Sequence, residues 1–185
     1  KMDVSGVPCQ MLTPPENDKN RLVIYLHGGG YALGSLASHA GMASEIARAA
    51  RCCVLQVDYR LAPEHKFPAP VEDSCGVYRE LLNTGYDAEK ISFAGDSAGG
   101  GLVIATIYAL KEADEALPGA AVCLSPWVDL EFTGESIQRC KDLDPVINMD
   151  VLPPMVDAYM AGQDLRHPAA APLYADLKGF PPLLI

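Results

Sequence analysis

Strand-like and helix-like stretches alternate along this chain of 185 residues, and each of its two glycine clusters closes a strand. Arg21–Leu26 is a short β-branched and aliphatic run that ends at His27-Gly28-Gly29-Gly30. Ser38 could cap a helix carrying Met42, Ile46 and Ala49 at helical spacing. Cys53–Val57 is the next apolar strand, and Pro70 suits the first turn of a helix with Val71, Cys75, Tyr78 and Leu82 on one side. Ile91–Ala94, Gly99–Glu112 and Ala120–Leu124 continue the series as strand, helix and strand. One more possible strand, Val7–Leu12, precedes the series, followed by a polar turn over Thr13–Asn20. A strand–helix order of this kind forces right-handed crossovers and a mainly parallel sheet with helices on its faces. Ligands of such sheets bind beyond the carboxyl ends of the strands. Both glycine clusters therefore stand where one crevice can hold them.

The clusters differ in chemistry. Gly95-Asp96-Ser97-Ala98-Gly99 has the form G-x-S-x-G, in which a serine sits on a sharp turn between strand and helix. Side chains at Gly95 or Gly99 would clash in that turn, and Gly100 and Gly101 let the helix approach the sheet. The helix N-terminus directs N–H groups and positive dipole at the serine oxygen, which makes Ser97 a candidate nucleophile and places the Ala98 N–H to receive an oxyanion. His27-Gly28-Gly29-Gly30 lies about seventy positions upstream. Three glycines expose a backbone whose N–H groups can turn to a substrate, and Gly28 and Gly29 are the expected donors. One such donor is typically worth about 3 kcal/mol in a transition state. The loop could instead be only a tight turn, for which glycine is the default residue. A phosphate loop is excluded, because no Gly-Lys-Ser/Thr follows and neither run fits G-x-G-x-x-G. The pair of motifs points to acyl transfer from an ester on an α/β-hydrolase scaffold.

A serine of this kind needs a histidine base and a carboxylate behind it. His27 precedes the serine and is expected to fix the glycine loop; His39 and His65 are expected to be loop residues. His167, the one histidine after Ser97, is the weaker candidate base. Asp96 adjoins the nucleophile and is expected to support its turn. A net charge of −10 argues against nucleic acid as partner. No apolar stretch approaches the ~20 residues of a membrane helix, and the scattered histidines and cysteines suggest neither a zinc site nor a disulfide framework. The expectation is a cytoplasmic protein without metal or cofactor, with a small ester as partner and homo-oligomerisation open. A single domain spans 1–185, with 125–180 an excursion richer in Asp and Pro that includes a cap or lid and one helix near Val151–Met160. The last apolar run is Pro182–Ile185.

These residues resemble the hormone-sensitive-lipase-like family of α/β-hydrolases, of the bacterial carboxylesterase type. The likeness rests on His27–Tyr31 and Gly95–Gly100, strengthened by Asp58–His65, by Ser125–Leu130 and by Ala171–Tyr174. The resemblance implies Ser97 as nucleophile, Gly28, Gly29 and Ala98 as oxyanion hole, and 125–180 as part of a cap. It also implies further helices before the first strand, an acid shortly after the Pro182–Ile185 strand and a histidine after one more strand. The chain is accordingly expected to be incomplete at both ends. Two functions follow from it: a serine carboxylesterase for short-chain esters, or a receptor that has lost the histidine and binds a small ligand in the same pocket.

Overall fold

The structure is a computed structural model that describes residues 1–140, 143, 144 and 147–185; positions 141, 142, 145 and 146 of the expected cap lie outside the described residues. Seven strands form one sheet: β1 (Met2–Val4), β2 (Val7–Leu12), β3 (Asp18–Leu26), β4 (Cys52–Val57), β5 (Ile91–Asp96), β6 (Ala120–Leu124) and β7 (Leu183–Leu184). Their order is β1-β2-β4-β3-β5-β6-β7. From β4 to β7 every pairing is parallel, and β1 and β2 add an antiparallel edge.

The helices are α1 (Ala40–Ala50), α2 (Ala69–Asn83), α3 (Ala98–Glu112), α4 (Glu135–Arg139) and α5 (Leu152–Met160). Alternation along β3 divides its side chains between two cores. Leu22, Ile24 and Leu26 share a cluster with Val71, Cys75 and Tyr78 of α2 and with Leu102 and Ile107 of α3. Val23 and Tyr25 face the other way, onto Ala43 and Ala47 of α1. The chain thus leaves β3 over one face through α1 and returns from β4 over the opposite face through α2. That reversal opens a crevice at the carboxyl ends of the central strands.

Two local expectations are corrected. Helix α1 is not capped by Ser38, whose hydroxyl pairs with Ser35 instead; the helix starts after His39 without a side-chain cap. Its buried stripe is Ala43 and Ala47, not Met42 and Ala49, because small side chains let the helix lie close to the sheet. The strand β1 and the one-turn α4 are too short for periodicity to announce.

Helix α3 is buried over most of its length, from Ala98 through Ile107. A helix apolar on all sides must be enclosed, and the 125–180 excursion closes it in. Leu130, Val156, Tyr159, Met160 and Ala169–Ala171 all join the main core. Burying a large apolar side chain is worth about 1.5–3 kcal/mol. The excursion is therefore anchored to the body. The backbone confirms this: Phe67 N–H donates to Tyr159 O at 2.9 Å and Trp127 N–H to Ser97 O at 2.8 Å.

Candidate active site

Register brings the two glycine motifs together. Leu26, the last residue of β3, pairs with Gly95 of β5, so His27–Gly30 and Ser97 leave adjacent strands at the same height.

Ser97 occupies the turn between β5 and α3 at φ 51°, ψ −121°. A non-glycine residue there costs on the order of 1–3 kcal/mol and persists only where its surroundings hold it. Three backbone bonds do so: Ser97 N–H donates to Leu124 O at 2.9 Å, and Ser97 O accepts from Trp127 N–H at 2.8 Å and Gly101 N–H at 3.0 Å. The Ser125–Leu130 stretch thus acts as the clasp of the serine turn. Close approach explains the glycines. A β-carbon at Gly99 would overlap the carbonyl oxygen of Leu26, and one at Gly101 the carbonyl oxygen of Trp127.

Hydrogen bonds hold most peptides of the loop after β3. His27 O accepts from the buried Tyr59 hydroxyl at 2.5 Å. Gly28 N–H donates to Asp96 Oδ1 at 3.0 Å. Gly28 O lies 2.8 Å from His27 Nδ1, Gly29 O accepts from the N–H groups of Ala32 (3.1 Å) and Leu33 (2.8 Å), and Tyr31 O accepts from Ala62 N–H at 2.8 Å. Among the described residues, the N–H groups of Gly29 and Gly30 have no acceptor. Neither has that of Ala98, which opens α3 and has no intrahelical partner. The expectation that Gly28 offers a free donor fails for a physical reason: a carboxylate already holds its N–H. The N–H of Gly30 stands open beside that of Gly29.

The histidines fall as follows. His27 is buried, stacked on Tyr59 at 4.4 Å and on His39 at 5.3 Å. Burial pushes its pKa down, so the ring is neutral, and its contact with Gly28 O puts the proton on Nδ1. Its Nε2 is buried without a partner among the described residues. Its place is to hold the loop, as expected. His39 Nε2 stands 3.6 Å from Asp96 Oδ2. His167 is built into a turn, where Nδ1 accepts from Ala169 N–H at 3.2 Å and the ring lies 4.9 Å from that of Phe67. No hydrogen bond joins Ser97 Oγ to any side chain among the described residues. Nor is any group of three His, Cys, Asp or Glu side chains placed among them to share a metal ion, and no helix among them is long and apolar enough to cross a membrane. All six cysteines are free thiols.

Two participants carry no signal in the sequence. Tyr25 reads as one more apolar strand residue, yet its hydroxyl donates to Asp96 Oδ1 at 2.6 Å; burial and that carboxylate push its pKa up and keep it a donor. Met155 of α5 lies directly over Gly30, where a β-carbon would meet its sulfur. Tyr31 stacks on Tyr159 at 3.9 Å and ties the loop to the same helix.

Comparison with known proteins agrees with this geometry. A family model described as the α/β-hydrolase fold matches residues 23–185. An acetyl-hydrolase of Streptomyces hygroscopicus is 46% identical over 171 residues, 92% of this chain and 57% of its own length. An esterase of Acinetobacter venetianus is 34% identical over 89% of this chain and 55% of its own. A crystal structure of an esterase from the bacterial hormone-sensitive lipase family superposes with a TM-score of 0.96 at 50% identity, covering 98% of this chain and 61% of that one. The chain spans between 55% and 61% of the length of these relatives.

Proposed function

The chain belongs to the α/β-hydrolase fold family, in its hormone-sensitive-lipase-like branch, and from that premise we propose that it carries the nucleophile and the oxyanion hole of a serine carboxylesterase acting on short-chain esters. Ser97 Oγ attacks the ester carbonyl carbon, and the carbonyl oxygen becomes an anion as the tetrahedral centre forms. The N–H groups of Gly29, Gly30 and Ala98 take up that charge. The centre collapses with departure of the alcohol, leaving an acyl group on Ser97, and water then releases the carboxylic acid. The observation that carries this reading is a strained serine at the head of α3, where the Ala98 N–H is open, on a strand next to a glycine loop whose Gly29 and Gly30 N–H groups are also open.

The base that accepts the Ser97 proton is proposed to follow Ile185 with its acid, in the order Ser, acid, His that the fold uses. The 125–180 excursion is proposed as part of the cap; the placement of Met155 over Gly30 supports this, since a bound acyl group would lie against the same loop. The acetyl-hydrolase name of one relative favours a small acyl group.

The test uses the full-length protein and a short-chain aryl ester. Ser97→Ala is expected to lower kcat by at least about 10³-fold while circular dichroism and thermal unfolding stay as in the parent. Near-parental turnover in that variant sinks the assignment. A full-length parent that binds small esters without hydrolysing them points instead to a receptor.

A further inference from the structure

The aspartate of G-D-S-A-G is expected to brace the serine's own turn. Its bonds go elsewhere. No hydrogen bond runs from the Asp96 carboxylate to residues 95–100; Oδ1 accepts from Gly28 N–H at 3.0 Å and from the Tyr25 hydroxyl at 2.6 Å, both on the neighbouring strand and its loop. His39 Nε2 lies 3.6 Å from Oδ2. A β-carbon at Gly28 would collide with this carboxylate, so the glycine is where it is to admit the contact.

The consequence follows from the planarity of the peptide bond. The His27–Gly28 peptide is held at both ends, its oxygen by the Tyr59 hydroxyl and its N–H by Asp96. With that plane fixed, the next peptide can turn only about Gly28, and its oxygen is fixed in turn by His27 Nδ1. In a trans peptide the N–H points opposite to the oxygen, so the free N–H of Gly29 takes the one remaining direction. We propose that Asp96 is a positioning residue: from the serine side of the site it clamps the Gly28 peptide and so aims the oxyanion donors of the loop. This rests on the esterase reading for its activity arm and on geometry alone for its other arm.

Two variants separate clamp from charge. Asp96→Asn keeps an acceptor for both donors and removes the charge; Asp96→Ala removes both. In the full-length protein, Asp96→Ala is expected to lower kcat about 10- to 100-fold, within the range for one misplaced oxyanion donor, with KM little changed; Asp96→Asn is expected to restore most of the loss. The second arm is the Gly28 amide in 15N–1H spectra: it should shift upfield and exchange faster in Asp96→Ala and recover in Asp96→Asn. Where Asp96→Ala does not fold, Tyr25→Phe, which removes one of the two donors and loosens the carboxylate, carries the same readouts with smaller effects. An unmoved Gly28 amide in Asp96→Ala, or a lowered melting temperature with unchanged kcat, overturns the proposal. So does an Asn variant in which the amide recovers and kcat does not, since charge would then be what matters. Should the parent hydrolyse no ester, the esterase reading fails, and the amide arm alone decides whether Asp96 clamps Gly28.

Discussion

At Gly99 a β-carbon would run into backbone of Leu26 and His27, whereas at Gly29 the backbone itself sits at φ +124°, a region L side chains rarely adopt. The serine turn and the oxyanion loop are both glycine-rich, yet they use the residue for different ends. Around Ser97 the glycines provide clearance, so that α3 can press against β3 and β5. In the loop after β3, glycine provides a chain path with positive φ at Gly29 and Gly30, whose N–H groups are left open. The first use is about packing and is expected to show in stability; the second is about direction and, on the proposed reading, is expected to show in turnover.

That contrast can be broken by substitution. The largest effect is expected at Gly99→Ala. The obstacle is backbone on a central strand and cannot rotate away, so the helix must shift; about 3 kcal/mol of stability should be lost, at the upper end for overpacking. Chemical denaturation measures it, and a variant as stable as the parent would mean that α3 is not held by close approach. Gly29→Ala should come next and act differently. The change meets both the φ of +124° and the Leu33 carbonyl, so the donor is displaced, and kcat should fall about 100-fold with a stability loss smaller than that of Gly99→Ala. If stability falls more than turnover, the two motifs are not distinct in the way described. The smallest effect is a control with opposite sign. Gly76 lies inside α2, and its β-carbon would make only ordinary contact with Ser5 at 3.5 Å. Gly76→Ala should stabilise the protein by about 0.5–1 kcal/mol through helix propensity and leave kcat alone; destabilisation there would show that glycine is required for a third reason.

Much of the scaffold is legible in the sequence because it depends on short-range pattern. The strand Ala120–Leu124 has the bounds expected for it, and α3 begins one residue before the expected Gly99. The placement of both glycine motifs at strand ends follows from the same pattern, whereas the adjacency of β3 and β5 is set by the strand order. What the sequence does not reveal is which donor meets which acceptor. Gly28 and Gly29 are equivalent in composition; only the pairing of Leu26 with Gly95 brings Asp96 beside Gly28 and takes its N–H out of use. Tyr25 is hidden for the same reason, since an aromatic residue in an apolar strand gives no sign that its hydroxyl will find a carboxylate 71 positions away. Ser38 misleads in the opposite sense: its residue type favours a cap, but Ser35 competes for the hydroxyl.

The bonds that shape the loop come from Tyr59, Ala62, Asp96 and the loop itself. All of these precede Ser97 in the chain, and none is a proton-transfer group for Ser97. The proposed socket for negative charge would therefore be assembled independently of whatever moves protons in the proposed reaction. The two capacities are separable: the same socket could serve a different proton relay, or outlast the loss of one and remain as a place where a carbonyl or carboxylate oxygen is held.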